Sequence, residues 1–140
     1  MNPEELSIGN WILIEGRPSK IDYIDCIVGG VISGDQSAAM SSIEDVQPIP
    51  LAREVLHRET LREGSKWRLT FEDGLNKDFE LISRSGFRLE VHFWGKHTYI
   101  YIVRRSDTIT VAEKEEAFPI HRLQNLWLSF TGEDLGIHEV

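Results

Sequence analysis

Phe118-Pro119-Ile120-His121-Arg122-Leu123-Gln124-Asn125-Leu126-Trp127-Leu128-Ser129-Phe130-Thr131-Gly132-Glu133-Asp134-Leu135 is the strongest helical signal in the chain. Pro119 suits a first helical turn, because its ring presets φ and the missing N–H is not needed there. Gly132 suits the end, where a left-handed residue closes the last turn. Between them Ile120, Leu123, Leu126, Trp127 and Phe130 recur at helical spacing and form one broad apolar stripe. A lone amphipathic helix needs a surface to cover, and most of what precedes it reads as strands. The stripe is therefore expected on a sheet, with Leu123, Leu126, Trp127 and Phe130 mostly buried and His121 and Asn125 on the flank.

The sheet is read outward from Phe87 to Arg104, the clearest hairpin. Gly95-Lys96 fits a type II′ turn, which wants Gly first. That register pairs Phe93 with Thr98, Val91 with Ile100 and Leu89 with Ile102 on a core face. The opposite face pairs Trp94 with His97, His92 with Tyr99 and Glu90 with Tyr101. Upstream, Trp67, Leu69 and Phe71 alternate before a turn at Asp73-Gly74, and Phe79 and Leu81 alternate before one at Ser85-Gly86. Thr108 to Val111 is a further strand, and Glu113 to Glu116 a charged connection into the helix.

Residues 8–49 read as short strands: Trp11 to Glu15, Lys20 to Asp25, Ile27 to Ile32 and Ile43 to Gln47. A turn at Gly16-Arg17-Pro18-Ser19 and a polar loop from Ser33 to Ser42 separate them. This predicts a small SH3-like β-barrel region at residues 1–50. Pro48-Ile49-Pro50 is rigid and leads to a short helix over 51–63. Leu51, Val55 and Leu56 face inward there, while Arg53, Glu54, Arg58, Glu59 and Arg62 face water. Ala52 is a poor cap for its start, and Gly64 ends it. The fold class is α+β. Residues 1–50 form the strand region and residues 51–140 an α+β region, as one compact domain or as two.

The chain has 140 residues, 41% hydrophobic and 27% charged, a balance that places it among globular proteins. Its net charge of −8 is uneven: residues 1–50 carry −6, residues 51–105 carry +3 and residues 106–140 carry −5. General affinity for nucleic acid is disfavoured, since phosphate binding needs a concentrated basic face. No apolar run is long enough to cross a bilayer. Met1-Asn2-Pro3-Glu4-Glu5 lacks the basic and apolar parts of a signal peptide, so a cytoplasmic location is expected. The single Cys26 has no internal disulfide partner and reads as a small buried hydrophobe.

No nucleophile motif, phosphate loop or dinucleotide fingerprint is present, so no catalytic residue and no cofactor is assigned. His92, His97 and Glu90 can share a face, but their spacing matches no zinc signature, and no metal is expected. Trp94, Tyr99 and Tyr101 on that face offer stacking surfaces for a base, sugar or peptide, or a surface for another strand to cover. His121, Gln124 and Asn125 suit either a partner or hydrogen bonds to neighbouring strands. The binding candidates are thus Trp94, His92, His97, Tyr99, Tyr101, His121 and Asn125. The expected function is a non-enzymatic protein-interaction module. The alternative is a nucleic-acid-associated protein, and a weaker third is a small hydrolase or metal protein using His92, His97 and Glu90.

Three segments carry a family resemblance. Ile120 to Trp127, continuing to Thr131-Gly132-Glu133-Asp134-Leu135, resembles the C-terminal VHQLQNLYFALTGEEL signature of short proteins in Bacteroidetes genomes and their phages. Val46-Gln47-Pro48-Ile49-Pro50-Leu51 is similar to an I-x-P-I-P-L-T-x-E-W-L segment of the same proteins, and Ile8-Gly9-Asn10-Trp11 to their first strand. The chain departs at Ala52, where the family tends to a Thr cap, and at Arg122, where it tends to Gln. The resemblance implies a phage or mobile-element origin and carries over no catalytic residue.

Overall fold

The computed structural model describes residues 1, 3–25, 30–33 and 41–140. Cys26, the first half of the Ile27–Ile32 strand and most of the Ser33–Ser42 loop lie outside them. Helix α2 spans Ile120–Thr131, bounded by Pro119 and by Gly132 in the left-handed region at φ 71°. Pro119 brings no side-chain cap. The orphan N–H of Ile120 instead donates to the Ile49 carbonyl at 2.8 Å, and Leu51 N–H donates to Phe118 O at 2.7 Å. The Pro48-Ile49-Pro50 linker is thereby fastened to the start of α2.

Beneath α2 lies a five-stranded antiparallel meander in the order β10-β9-β8-β7-β6. Its strands are β6 (Arg68–Asp73), β7 (Asn76–Ile82), β8 (Arg88–Trp94), β9 (His97–Arg104) and β10 (Asp107–Glu115). The β8–β9 register is the expected one at all six positions from Leu89↔Ile102 to Trp94↔His97. Gly95 carries the positive φ of 61° that the first turn position requires. Phe79, Leu81, Leu89, Val91, Phe93, Ile100 and Ile102 are buried on the inner face. Ile120, Leu123 and Trp127 of α2 join them in one core, with Leu135 and Ile137 from the segment beyond. β10 runs through Glu115 rather than stopping at Val111. Register shifts around Ala112, with Lys114 at φ 53°, let the charged connection stay in the ladder.

Helix α1 (Arg53–Thr60) is shorter than expected, and Ala52 at its start makes no side-chain cap. Leu51, Val55 and Leu56 are buried as predicted. Glu59 is not on the water side: it is 3% exposed, because the C-terminal segment folds over it and supplies hydrogen-bond donors.

The other sheet has the order β4-β3-β2-β1-β5, built from β1 (Trp11–Ile14), β2 (Arg17–Asp25), β3 (Gly30–Ser33), β4 (Ser41–Ser42) and β5 (Val46–Pro48). All its pairings are antiparallel, and neither sheet closes into a barrel among the described residues. The SH3-like barrel expected for residues 1–50 is thus corrected to an open sheet with its own small core of Ile12, Ile14, Ile21, Val31 and Val46. The turn falls at Glu15-Gly16, and Arg17-Pro18-Ser19 belong to β2. Pro18 is tolerated because β3 pairs only from Ile21 onward, leaving Pro18 beside β1 alone. Ile43–Asp45 form a 3-10 turn capped by Ser42, so the strand expected there begins only at Val46.

Two expectations on α2 are corrected. Phe130 is 37% exposed and lies outside the buried core, with its ring edge-to-face against Phe87, centroids 5.8 Å apart. His121 is not on the flank: it is 1% exposed.

Candidate functional site

Strand alternation sends one set of β6–β10 side chains away from α2, onto a face without a covering layer among the described residues. Trp94, His92, His97, Tyr99 and Tyr101 all lie there, brought together by the β8–β9 register. Trp94 is half exposed, and its ring stacks on exposed Phe71 of β6 at 6.3 Å. Its indole N–H donates to Asp78 Oδ1 at 2.7 Å. The same oxygen meets His92 Nδ1 at 2.8 Å, while His92 Nε2 lies 3.3 Å from Glu90 Oε1. Arg88 donates from Nε to the other Glu90 oxygen at 2.9 Å. The His92 and Tyr101 rings lie 5.8 Å apart, and the Tyr101 hydroxyl reaches Glu113 at 3.5 Å. Burial, followed by the charge and hydrogen bond of Glu113, raises the Tyr101 phenol above its ordinary range.

The result is a group of aromatic rings of which Trp94, His92 and Tyr101 each meet a carboxylate. The sequence reading missed Asp78, Phe71 and Glu113. Asp78 was legible in part: Phe79 and Leu81 point inward, so Asp78 must point outward. Its position opposite His92 depends on the β7–β8 register, which the Ser85-Gly86 turn sets. Both ring nitrogens of His92 face carboxylates, and His97 is placed across from Trp94 rather than beside Glu90. Among the described residues no group of three or more His, Cys, Asp or Glu is placed to hold a metal.

His121 and Asn125 lie elsewhere, on the side of α2 that meets the N-terminal segment. Asn125 accepts from Asn10 Nδ2 at 2.9 Å and donates to Glu5 O at 2.8 Å. Gln124, buried beside it, accepts Trp11 N–H at 2.9 Å and donates to Gly9 O at 3.3 Å. These two side chains fasten the helix to β1 and the loop before it. His121 is buried with neither ring nitrogen hydrogen-bonded. Desolvation holds its pKa below the ordinary value; Glu5 opposes that shift and Arg122 adds to it.

No helix among the described residues is long and apolar enough to cross a membrane. Comparison with family models, curated proteins and solved structures finds no match to this chain.

Proposed function

We infer that the chain is a non-enzymatic protein-interaction module that receives an extended, positively charged protein segment on the outer face of β6–β10. The observation that carries this reading is the half-exposed Trp94, stacked on Phe71 and locked by Asp78. An exposed, oriented indole is the kind of anchor that dominates protein interfaces. Asp78, Glu80, Glu90 and Glu113 outnumber Arg68 and Arg88 on this face, which favours Lys and Arg side chains over phosphate. The same charge balance weighs against the nucleic-acid alternative. A phage or mobile-element setting rests on the sequence resemblance alone, and the neighbouring genes test it.

The direct experiment is a nuclear magnetic resonance titration of the labelled chain with arginine- and lysine-rich peptides, with acidic peptides and with oligonucleotides. Saturable shifts of the Trp94 indole with basic peptides, lost in Trp94→Ala, are expected. Shifts produced instead by oligonucleotides, or an indole indifferent to every probe, would overturn the reading.

A further inference from the structure

The segment after α2 folds back and borders a cleft of about 510 Å³. Its walls come from the end of α1 and the turn that follows, from β7 and from the C-terminal segment, with Lys20 reaching in from β2. Glu59 is buried in this wall. Its Oε2 accepts the His138 backbone N–H at 3.1 Å, and its Oε1 meets His138 Nδ1 at 2.7 Å. The half-exposed imidazole is therefore aimed by a buried carboxylate, and its Nε2 has no hydrogen-bond partner among the described residues.

The other two carboxylates of the cleft are likewise turned onto protein donors. Glu133 accepts the Arg84 backbone N–H at 2.9 Å, and Asp134 accepts the Gly136 N–H at 2.7 Å. The cations are not matched in this way. Lys20, Lys66 and Arg84 line the cleft, and none forms an ion pair among the described residues. Lys20 rests its ammonium 5.9 Å from the Trp11 ring centre. The carboxylates equal the cations in number, but each carboxylate is held by a protein donor, whereas the cations keep no carboxylate partner among the described residues and can pair with an incoming anion.

We propose that this cleft binds a small organic phosphate. A phosphate monoester carries close to two negative charges near neutral pH, which suits several separate cations better than a single carboxylate does. Its three acceptor oxygens suit Lys20, Lys66 and Arg84, with the free nitrogen of His138 as a further contact. The cleft is within the size range of small-molecule sites and exceeds a lone phosphate. Leu81, Trp67 and Ile137 supply apolar wall for the organic part.

The test is a titration of the full labelled chain at low salt with glucose 6-phosphate, adenosine monophosphate, citrate and inorganic phosphate. The Trp67 indole N–H is the reporter, because it is bonded to the Leu135 carbonyl in the cleft wall at 2.9 Å. Saturable shifts with at least one phosphate ester are expected below about 10 mM. The double variant K66A/R84A changes exposed side chains and is expected to weaken binding at least about tenfold. K96A, whose ammonium pairs with Glu116 away from the cleft, is expected to leave binding unchanged. No shift with any ester up to about 10 mM, or binding indifferent to K66A/R84A, would overturn the proposal. Citrate binding in place of the esters would overturn the choice of phosphate. Inorganic phosphate binding as tightly as the esters would overturn the role given to the apolar wall.

Discussion

The Trp94 indole and the His92 ring converge on one oxygen of Asp78, at 2.7 and 2.8 Å. Asp78 is 16% exposed at its side chain, so these contacts are shielded well enough to orient both rings. Asp78→Ala is expected to release Trp94 and to cost about 2 kcal/mol, since each bond has a charged acceptor but the site is not fully dry. Chemical denaturation measures the stability, and the Trp94 indole resonance reports the release. Asp78→Asn keeps an acceptor and should fall between. An unmoved indole resonance in Asp78→Ala would show that Phe71 alone holds the ring.

Gly95 offers a clean test of backbone against packing. Its φ is 61°, and a Cβ built there would meet nothing within 4 Å. Any penalty for a side chain is therefore conformational. Gly95→Val should cost about 1–2 kcal/mol, because a β-branched residue resists the left-handed region. Gly95→Asn should cost less, since Asn enters that region more readily. The carbonyl of Gly95 also accepts from Arg53 of α1, so a distorted turn would disturb a contact between elements. Equal melting temperatures for the two variants would mean that the turn relaxes to another type.

The parts of the fold that were legible in the sequence are those set by local rules. The β8–β9 register followed from one glycine and from alternation, and α2 followed from Pro119, Gly132 and the stripe between them. What was not legible depended on segments far apart in the chain. Glu59 looked like a solvated helix residue until His138, 79 positions on, was folded against it. His121 looked like a flank residue because nothing in its neighbourhood shows that the N-terminal segment covers that side of α2. The open first sheet was misread as a barrel because short strands and tight turns do not reveal whether edges meet. For the candidate face, the β8–β9 pairs were legible, but the Asp78 anchor needed the next register in the meander.

Trp127 is 1% exposed in the centre of the larger core, and Leu123 one turn before it is fully buried. Truncation to Ala removes a large ring that close packing cannot refill. Trp127→Ala should cost about 3–5 kcal/mol. That is a large share of the roughly 5–15 kcal/mol that stabilises a typical domain. The mutant should be partly unfolded or insoluble. Leu128→Ala, on the exposed side of the same helix, should shift the denaturation midpoint little. Similar losses from the two variants would mean that α2 is held by both faces.

His121 predicts a pH dependence whose direction follows from its burial. Desolvation keeps the folded-state pKa below the ordinary 6.5, and Glu5 only partly offsets it. As pH falls, the unfolded chain therefore takes up this proton before the folded chain does. The stability of the neutral, buried ring is complete above about 6.5 and declines as pH drops towards the folded-state value. His121→Leu removes both the titration and two unpartnered ring nitrogens while keeping an apolar side chain at a buried position. It should be at least as stable as wild type at pH 7, by about 1 kcal/mol if the leucine fits the space. The advantage should widen towards pH 5, measured as the difference between denaturation curves so that the other histidines cancel. A difference that stays flat with pH would show that Glu5 cancels the effect of burial, and one that narrows towards pH 5 would show that Glu5 holds the ring protonated in the fold.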